Sequence, residues 1–72
     1  MMVIKYKGDF DFSDIKPRPL DHMQQMALDD YLKFCESRGK KFITFIELCK
    51  IGISADRIKG LLASGYLKRQ YT

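Results

Sequence analysis

The sequence predicts an α+β domain with three helices, an N-terminal β-hairpin and a C-terminal strand. Three patterns predict this fold class. Apolar residues alternate with polar ones before residue 13, recur at helical steps from residue 20 to residue 38, and form two shorter helical patterns before a last alternating run. Of the 72 residues, 46% are hydrophobic and 31% are charged, which is typical of a folded chain and not of a disordered one. We therefore expect a single domain over residues 1–72.

The first segment, MVIKYKGDFDF, predicts the β-hairpin. A two-residue turn at residues 8–9 would place the apolar side chains of the two strands on opposite faces. A three-residue loop over residues 7–9 instead pairs Tyr6 with Phe10 and Ile4 with Phe12, so that all the large apolar groups share one face. We prefer the three-residue loop, while pairing of the first strand with another part of the chain stays open.

The longest helix is predicted between residues 20 and 38, after a connection over residues 13–19 that contains two X-Pro steps. Asp21 suits the positively polarised start of this helix, and Gly39 is a natural stop. Its apolar residues follow the helical period and predict a wide buried stripe: Leu20, Met23, Ala27, Leu28, Tyr31, Leu32, Phe34 and Cys35.

A short strand and a short helix are predicted next. Phe42 and Ile43 predict the strand, and Thr44 begins a helix in which Glu47 completes a reciprocal capping box. The side of this helix that we expect to face the core consists of Phe45, Leu48 and Cys49, with Ile46 partly buried beside them.

A third helix is predicted over residues 55–64. Gly52 ends the preceding helix, Ser54 caps the new one with its side chain, and Gly65 closes it. The expected buried stripe consists of Ile58, Leu61 and Leu62. Residues 66–71 alternate in polarity and predict the final strand.

Basic residues are concentrated in the second half of the chain. Residues 1–36 carry five Lys and Arg against seven Asp and Glu, a net charge of −2, whereas residues 37–72 carry eight against two, a net charge of +6. A cationic surface attracts polyanions, so nucleic acid is the leading class of partner and an acidic protein is the second. No apolar run suits a membrane span or a signal peptide, and Cys35 and Cys49 fit reduced core positions, so we expect a cytoplasmic protein without membrane contact.

No group of residues predicts catalysis. His22 is the only histidine, so it lacks the second ligand or the base that metal or triad chemistry requires. Asp29 and Asp30 have no partner carboxylate at a catalytic spacing and suit an exposed helix face. We expect neither an enzyme nor a cofactor or metal site.

Residues 42–69 resemble the winged helix-turn-helix family. In that family a supporting helix with a Glu-Leu pair leads through a Gly-Ile-Ser turn into a recognition helix, which a glycine ends before the chain enters a wing hairpin. The same features occur here in the same order: Glu47-Leu48, Gly52-Ile53-Ser54, Ile58, Leu61-Leu62 and Gly65-Tyr66-Leu67-Lys68-Arg69. The resemblance implies a winged-helix-like fold and the function of a small DNA-binding transcriptional regulator.

The resemblance also implies that the helix over residues 55–64 enters the major groove of duplex DNA, with its first turns nearest to the base edges. With the crowding of basic residues in this half, it predicts a nucleic-acid-binding surface of Ser54, Ala55, Arg57, Lys59, Lys40, Lys41, Lys50, Lys68 and Arg69. Arg57 and Lys59 are the side chains expected to read bases. One short helix buries too little surface for specificity, so we expect a homodimer, formed through the hairpin or through the stripe of residues 20–38.

Departures from the family pattern favour an alternative function. Asp56 would repel phosphate, and Gly60 has no side chain with which to read a base. No return strand follows residue 71, so we expect the wing to be shortened or missing, or to be supplied by the N-terminal hairpin. The alternative is a protein-interaction module, such as a small inhibitor or assembly factor, with an acidic or apolar protein as its partner. An exposed basic face on residues 55–64 would favour DNA binding, and a flat apolar patch elsewhere would favour the alternative.

Overall fold

The computed structural model describes residues 4–8 and 10–69. Its elements, in chain order, are β1 (Lys5–Tyr6), α1 (His22–Ser37), β2 (Phe42–Ile43), α2 (Phe45–Lys50) and α3 (Ala55–Ser64). The structure is a small α+β domain with three helices and a two-stranded sheet, so the coarse fold class predicted from the sequence is confirmed. Among the described residues, no helix has both the length and the apolar character that crossing a membrane requires.

The predicted N-terminal hairpin is wrong, because β1 pairs in parallel with β2. Tyr6 lies opposite Ile43 in the register, and the amide of Lys7 donates to the carbonyl of Ile43 at 2.9 Å. Phe10 and Phe12, the expected hairpin partners, lie outside the strands, and Asp9 of the expected loop lies outside the described residues. The parallel pairing places the side chains of Tyr6 and Ile43 together in the core with no exposed surface, a burial that a hairpin on its own cannot provide.

The segment after α3 lies on the other side of β1. Tyr6 forms a parallel bridge with Arg69, and its amide donates to the carbonyl of Lys68 at 2.8 Å. Of the predicted final strand over residues 66–71, the described part forms this one bridge, and residues 70 and 71 lie outside the described residues. β1 is therefore the middle of three laterally paired segments.

The two capped helix starts depend on local sequence. At α1 the carboxylate of Asp21 accepts from the amide of Gln24 at 2.7 Å, and the Gln24 side chain accepts from the Asp21 amide in return. At α2 the predicted capping box is confirmed, since Thr44 and Glu47 satisfy each other's amides. Gly65 adopts a left-handed φ of 84° at the end of α3, which stops that helix where the sequence predicts.

The core is formed by one cluster of buried residues: Ile4, Tyr6, Phe12, Leu28, Cys35, Ile43, Leu48, Ile53, Ile58, Leu61 and Leu67. The buried residues predicted for α1 and for α2 are wrong in part. α1 buries Leu28 and Cys35 and leaves Met23 and Phe34 exposed, because the buried face lies to one side of the predicted stripe. α2 has only six residues and buries only Leu48, so the expected core residue Cys49 is exposed and Ile46 is 65% exposed.

Candidate nucleic-acid interface

The turn between α2 and α3 forms as the sequence predicts, but its cap differs. Gly52 has a φ of 94°, which a side chain would disfavour, and Ile53 is fully enclosed behind it. Ser54 occupies the N-cap position of α3, yet its hydroxyl donates to the carboxylate of Asp56 and accepts no helical amide. The carboxylate of Asp56 instead accepts from the amide of Arg57 at 2.9 Å. The prediction that the Ser54 side chain caps α3 is therefore wrong, because the Asp56 carboxylate accepts from the Arg57 amide, one of the donors that an N-cap side chain would satisfy.

Residues 12–19, here called the strap, lie across the face of α3 that was expected to read DNA. The amide of Arg18 donates to the carbonyl of Asp56 at 3.0 Å, and the Arg18 guanidinium lies 3.6 Å from the Asp56 carboxylate. Gly60 packs directly against the backbone of Arg18, where a β carbon would overlap the carbonyl oxygen. The chain itself thus covers the middle of α3.

Arg57 joins α3 to the strap and to the start of α1. Its side chain is 19% exposed, and its guanidinium donates to the carbonyl of Pro19 at 3.2 Å and to the side-chain oxygen of Gln24. Asp21 adds a carboxylate 3.9 Å away. Arg57 therefore holds three parts of the fold together, and the structure does not present it as a free base reader.

Lys59, two residues further along α3, has the same kind of role. Its ammonium donates to the carbonyl of Phe12 at 2.8 Å and to the carbonyl of Ile15. The strap contains Pro17 and Pro19, which have no amide hydrogen and keep the backbone extended. The carbonyls of Pro19 and Ile15 accept from Arg57 and Lys59, and the carbonyl of Phe12 accepts from Lys59 as well as from the Ile15 amide within the strap.

The carboxylate of Asp56 stabilises the contact between the strap and α3. The hydrogen bond from the Ser54 hydroxyl is the largest effect and holds the pKa of Asp56 below its ordinary value. Burial opposes this lowering as the second largest effect, and the Arg57 amide and the Arg18 guanidinium lower the pKa further. The carboxylate expected to repel phosphate is thus occupied by its own neighbours.

The remaining predicted site residues separate into two groups. Lys40 forms an ion pair with Glu47, and the guanidinium of Arg69 lies over the rings of Tyr6 and Phe12, 5.9 Å and 5.6 Å from their centroids. Ala55 is half-buried and packs against the core. The exposed members are Lys41, Lys50, Lys68 and the cap residue Ser54. Five of the nine predicted residues are therefore engaged in contacts within the fold: Arg57, Lys59, Lys40, Arg69 and Ala55.

A different basic surface lies on the outer side of the sheet. Neighbouring residues of a strand point to opposite faces, and Tyr6 points into the core, so Lys5 and Lys7 point outwards and are exposed. Lys5 is in register with Phe42, which shares its face. Lys68 precedes Arg69, the bridge partner of Tyr6, and is exposed on the same outer side.

We call the group formed by Lys5, Lys7, Phe42 and Lys68 the sheet face. Adjacent segments of a sheet lie about 4.8 Å apart, so this group extends across three segments over about 10 Å. The ammonium of Lys7 lies 5.5 Å from the centroid of the Phe42 ring, and that residue is 37% exposed. Among the described residues, no carboxylate forms an ion pair with any of its three lysines. Their charges therefore remain available to a ligand.

Sequence reasoning missed Lys5 and Lys7 because it compared the charges of the two halves, and the first half is acidic in total. The alternation Ile4-Lys5-Tyr6-Lys7 carried the signal, since it places two lysines on one face of a strand. What the sequence could not show was that Lys68, more than sixty positions later, joins the same face.

In the described part of the chain, no three His, Cys, Asp or Glu side chains come together as metal ligands. Comparisons with family models, with curated proteins and with solved structures find no match for this chain.

Proposed function

We propose that this protein binds duplex DNA, as a small regulator, by contacting phosphates with its sheet face. The observation that carries the proposal is that Lys5, Lys7 and Lys68 share one exposed surface without a neutralising carboxylate among the described residues. Lysine ammonium groups bind phosphate as point charges and carry no base information. Binding of this kind is strongly salt-dependent and has little sequence specificity.

The proposal moves the DNA contact away from α3. The strap covers α3 at Gly60, and the two long side chains expected to read bases donate to carbonyls of the strap. Base readout by α3 would require those hydrogen bonds to break, whereas phosphate contact by the sheet face leaves the fold unchanged.

Kinship with the winged-helix family forms part of the same proposal. The capping box at Thr44, the turn at Gly52 and the left-handed stop at Gly65 support it. The segment that would lead into the wing pairs in parallel with β1, so β1 lies where a wing strand would pair in that family. The sheet face then takes the place of the wing as the phosphate contact.

The test is fluorescence anisotropy of a labelled mixed-sequence duplex, titrated with protein over a range of salt concentrations. The experimental variant carries Lys5→Gln, Lys7→Gln and Lys68→Gln. The matched control carries Lys16→Gln, Lys33→Gln and Lys50→Gln, which remove the same charge from exposed positions outside the sheet.

We expect the sheet-face variant to weaken binding and to reduce the slope of log affinity against log salt by about 2.7, or about 0.9 per lost contact. The control should keep a slope close to that of the wild type. Equal losses in both variants would mean that net charge alone attracts DNA, and no binding at low salt would end the proposal.

We further propose that the protein acts as a homodimer through the outer side of α1. Met23, Met26 and Phe34 are exposed there by 74%, 51% and 53%, and they recur at helical spacing. A second copy is the proposed cover, because a domain of about this size buries only about 60% of its unfolded surface alone. Analytical ultracentrifugation tests it: Met26→Glu should yield a monomer, and a wild-type monomer at high concentration would contradict the idea.

The second candidate function is a protein-interaction module for an acidic or apolar partner. The specific observation in its favour is the strap itself, which closes the face that a DNA reader would leave open.

For either function we propose the cytoplasm as the location, because Cys35 and Cys49 are both free thiols and Cys49 is exposed, which suits a reducing compartment.

A further inference from the structure

A groove lies between the end of α3 and the segment that follows it. Its volume is about 480 Å³, in the range of small-ligand sites. Its accessible apolar surface comes from the half-buried Leu62 and the exposed Ala63 and Gly65, above a floor of Phe12 and Leu67, which are only 7% and 2% exposed. The groove therefore provides an apolar binding surface that is open to solvent.

Three cationic side chains complete the lining: Lys59, Lys68 and Arg69. Lys59 is held in place by two strap carbonyls, and Arg69 by the rings of Tyr6 and Phe12, so two of the three charges have fixed positions. Among the described residues none of the three forms an ion pair with a carboxylate. Asp11 lies near enough for Lys59 and Arg69 to contribute to the lowering of its pKa, which comes mainly from hydrogen bonds with Ser13.

We propose that this groove binds a short acidic peptide segment of a partner protein, with an apolar side chain of the segment packed on Leu62 and Ala63 and a carboxylate facing Lys68 and Arg69. Charge complementarity selects an anion, and the apolar lining selects a side chain that can be buried beside it. The open groove suits a peptide chain that continues past it on both sides. The inference rests on the second candidate function above, and the groove shares Lys68 with the sheet face that is proposed to contact DNA.

The experiment uses three labelled peptides of equal length, with alternating Leu and Asp, Ser and Asp, or Leu and Lys. Binding is measured by anisotropy at low salt with the full chain. Ala63→Glu and Ala63→Gln both fill the groove at an exposed position of α3, the first with a charge and the second without. Ser37→Glu places the same charge at an exposed position of α1, outside the groove, and is the matched control.

We expect the Leu-Asp peptide to bind best, and both Ala63 variants to weaken it by about tenfold because they occupy its binding surface. The Ser37 variant should change the affinity little. All three variants should retain the wild-type circular dichroism spectrum, which separates loss of binding from loss of folding.

Three results would overturn the inference. Equal binding of the Ser-Asp peptide would show that charge alone acts and that the apolar binding surface is not used. Leu-Asp binding that survives both Ala63 variants would place the peptide elsewhere, while the protein-interaction function would stand. Failure of all three peptides to bind would remove the groove site and count against the protein-interaction function as well, but not against DNA binding.

Discussion

The backbone of Arg18 lies directly on Gly60, so that a β carbon built at Gly60 would overlap the Arg18 carbonyl oxygen and lie 3.0 Å from its carbonyl carbon. This contact allows the strap to pack closely on α3. It also explains why a glycine is present inside a helix, where it is normally unfavourable.

Replacing Gly60 by alanine should destabilise the protein, although the same change stabilises most helices by about 1 kcal/mol. The added methyl group forces the strap away from α3, at a cost of about 1 to 3 kcal/mol. Urea denaturation measures the difference. Ala63→Gly at an exposed position of the same helix is the control and should cost about 0.5 to 1 kcal/mol through helix propensity alone. A stabilised Gly60→Ala protein would show that the strap does not lie on α3 in solution.

Replacing Lys59 by methionine should lower the free energy of unfolding. DNA affinity should fall by no more than the loss of one positive charge explains. The substitution keeps a long side chain but removes the donor to the carbonyls of Phe12 and Ile15, at a cost of about 1 to 2 kcal/mol. Lys16→Met removes an exposed charge of the strap and should change stability by less than about 0.5 kcal/mol. If Lys59→Met abolished DNA binding while stability and the Lys16 control were unaffected, Lys59 would be a DNA contact after all.

Ser54→Ala should raise the pKa of Asp56 towards its ordinary value of 3.8, because the Ser54 hydrogen bond is the largest cause of its lowering. A pH titration of the side-chain carboxyl carbons by NMR measures this directly. Asp11 is an internal reference, since its pKa is lowered chiefly by hydrogen bonds with Ser13, and it should not move. An unchanged Asp56 titration would contradict the hydrogen bond.

Stability should depend on pH through the same carboxylate. The folded pKa of Asp56 lies below its unfolded value, so its contribution is present above about pH 4 and is lost as the pH falls through the lower folded value. The difference in unfolding free energy between wild type and Asp56→Asn should therefore shrink from neutral pH to strongly acidic pH. A difference that stayed constant in urea titrations would assign the role of Asp56 to packing and not to charge.

Thr44→Ala should cost about 1 kcal/mol, because it removes the side-chain half of the capping box of α2. Thr44→Ser keeps the hydroxyl and should remain close to the wild type. The comparison by thermal or urea unfolding isolates the cap, since Thr44 is exposed and contributes little packing. Equal losses in both variants would point to the missing methyl group instead.

The features that could be predicted from the sequence are those set by neighbouring residues. The capping box of Thr44 and Glu47, the stop at Gly65 and the bounds of the three helices all follow from side chains within one or two turns of each other. The features that were missed join distant parts of the chain. Nothing near Tyr6 indicates that its strand pairs with Ile43 and Arg69 in place of Phe10.

The same distinction applies to the candidate site. Arg57 and Lys59 are basic residues on a predicted recognition helix, and only the position of the strap shows that they hold the fold together. Lys5 and Lys68 become a pair only through the lateral packing of β1. Local patterns thus predicted the helices, while the charged surface depends on long-range pairing that they do not encode.

The place of β1 in the middle of three paired segments also determines when the fold can form during synthesis. β1 leaves the ribosome about sixty residues before Lys68, so the hydrogen bond from the Tyr6 amide to the Lys68 carbonyl forms only after α3 has been made. The three helices can form from local contacts before that moment, but the sheet closes only after a long loop has been searched, which is slow compared with helix formation. A nascent chain that stops before residue 68 therefore holds capped helices around an incomplete core, and the sheet is completed only by the segment that follows α3.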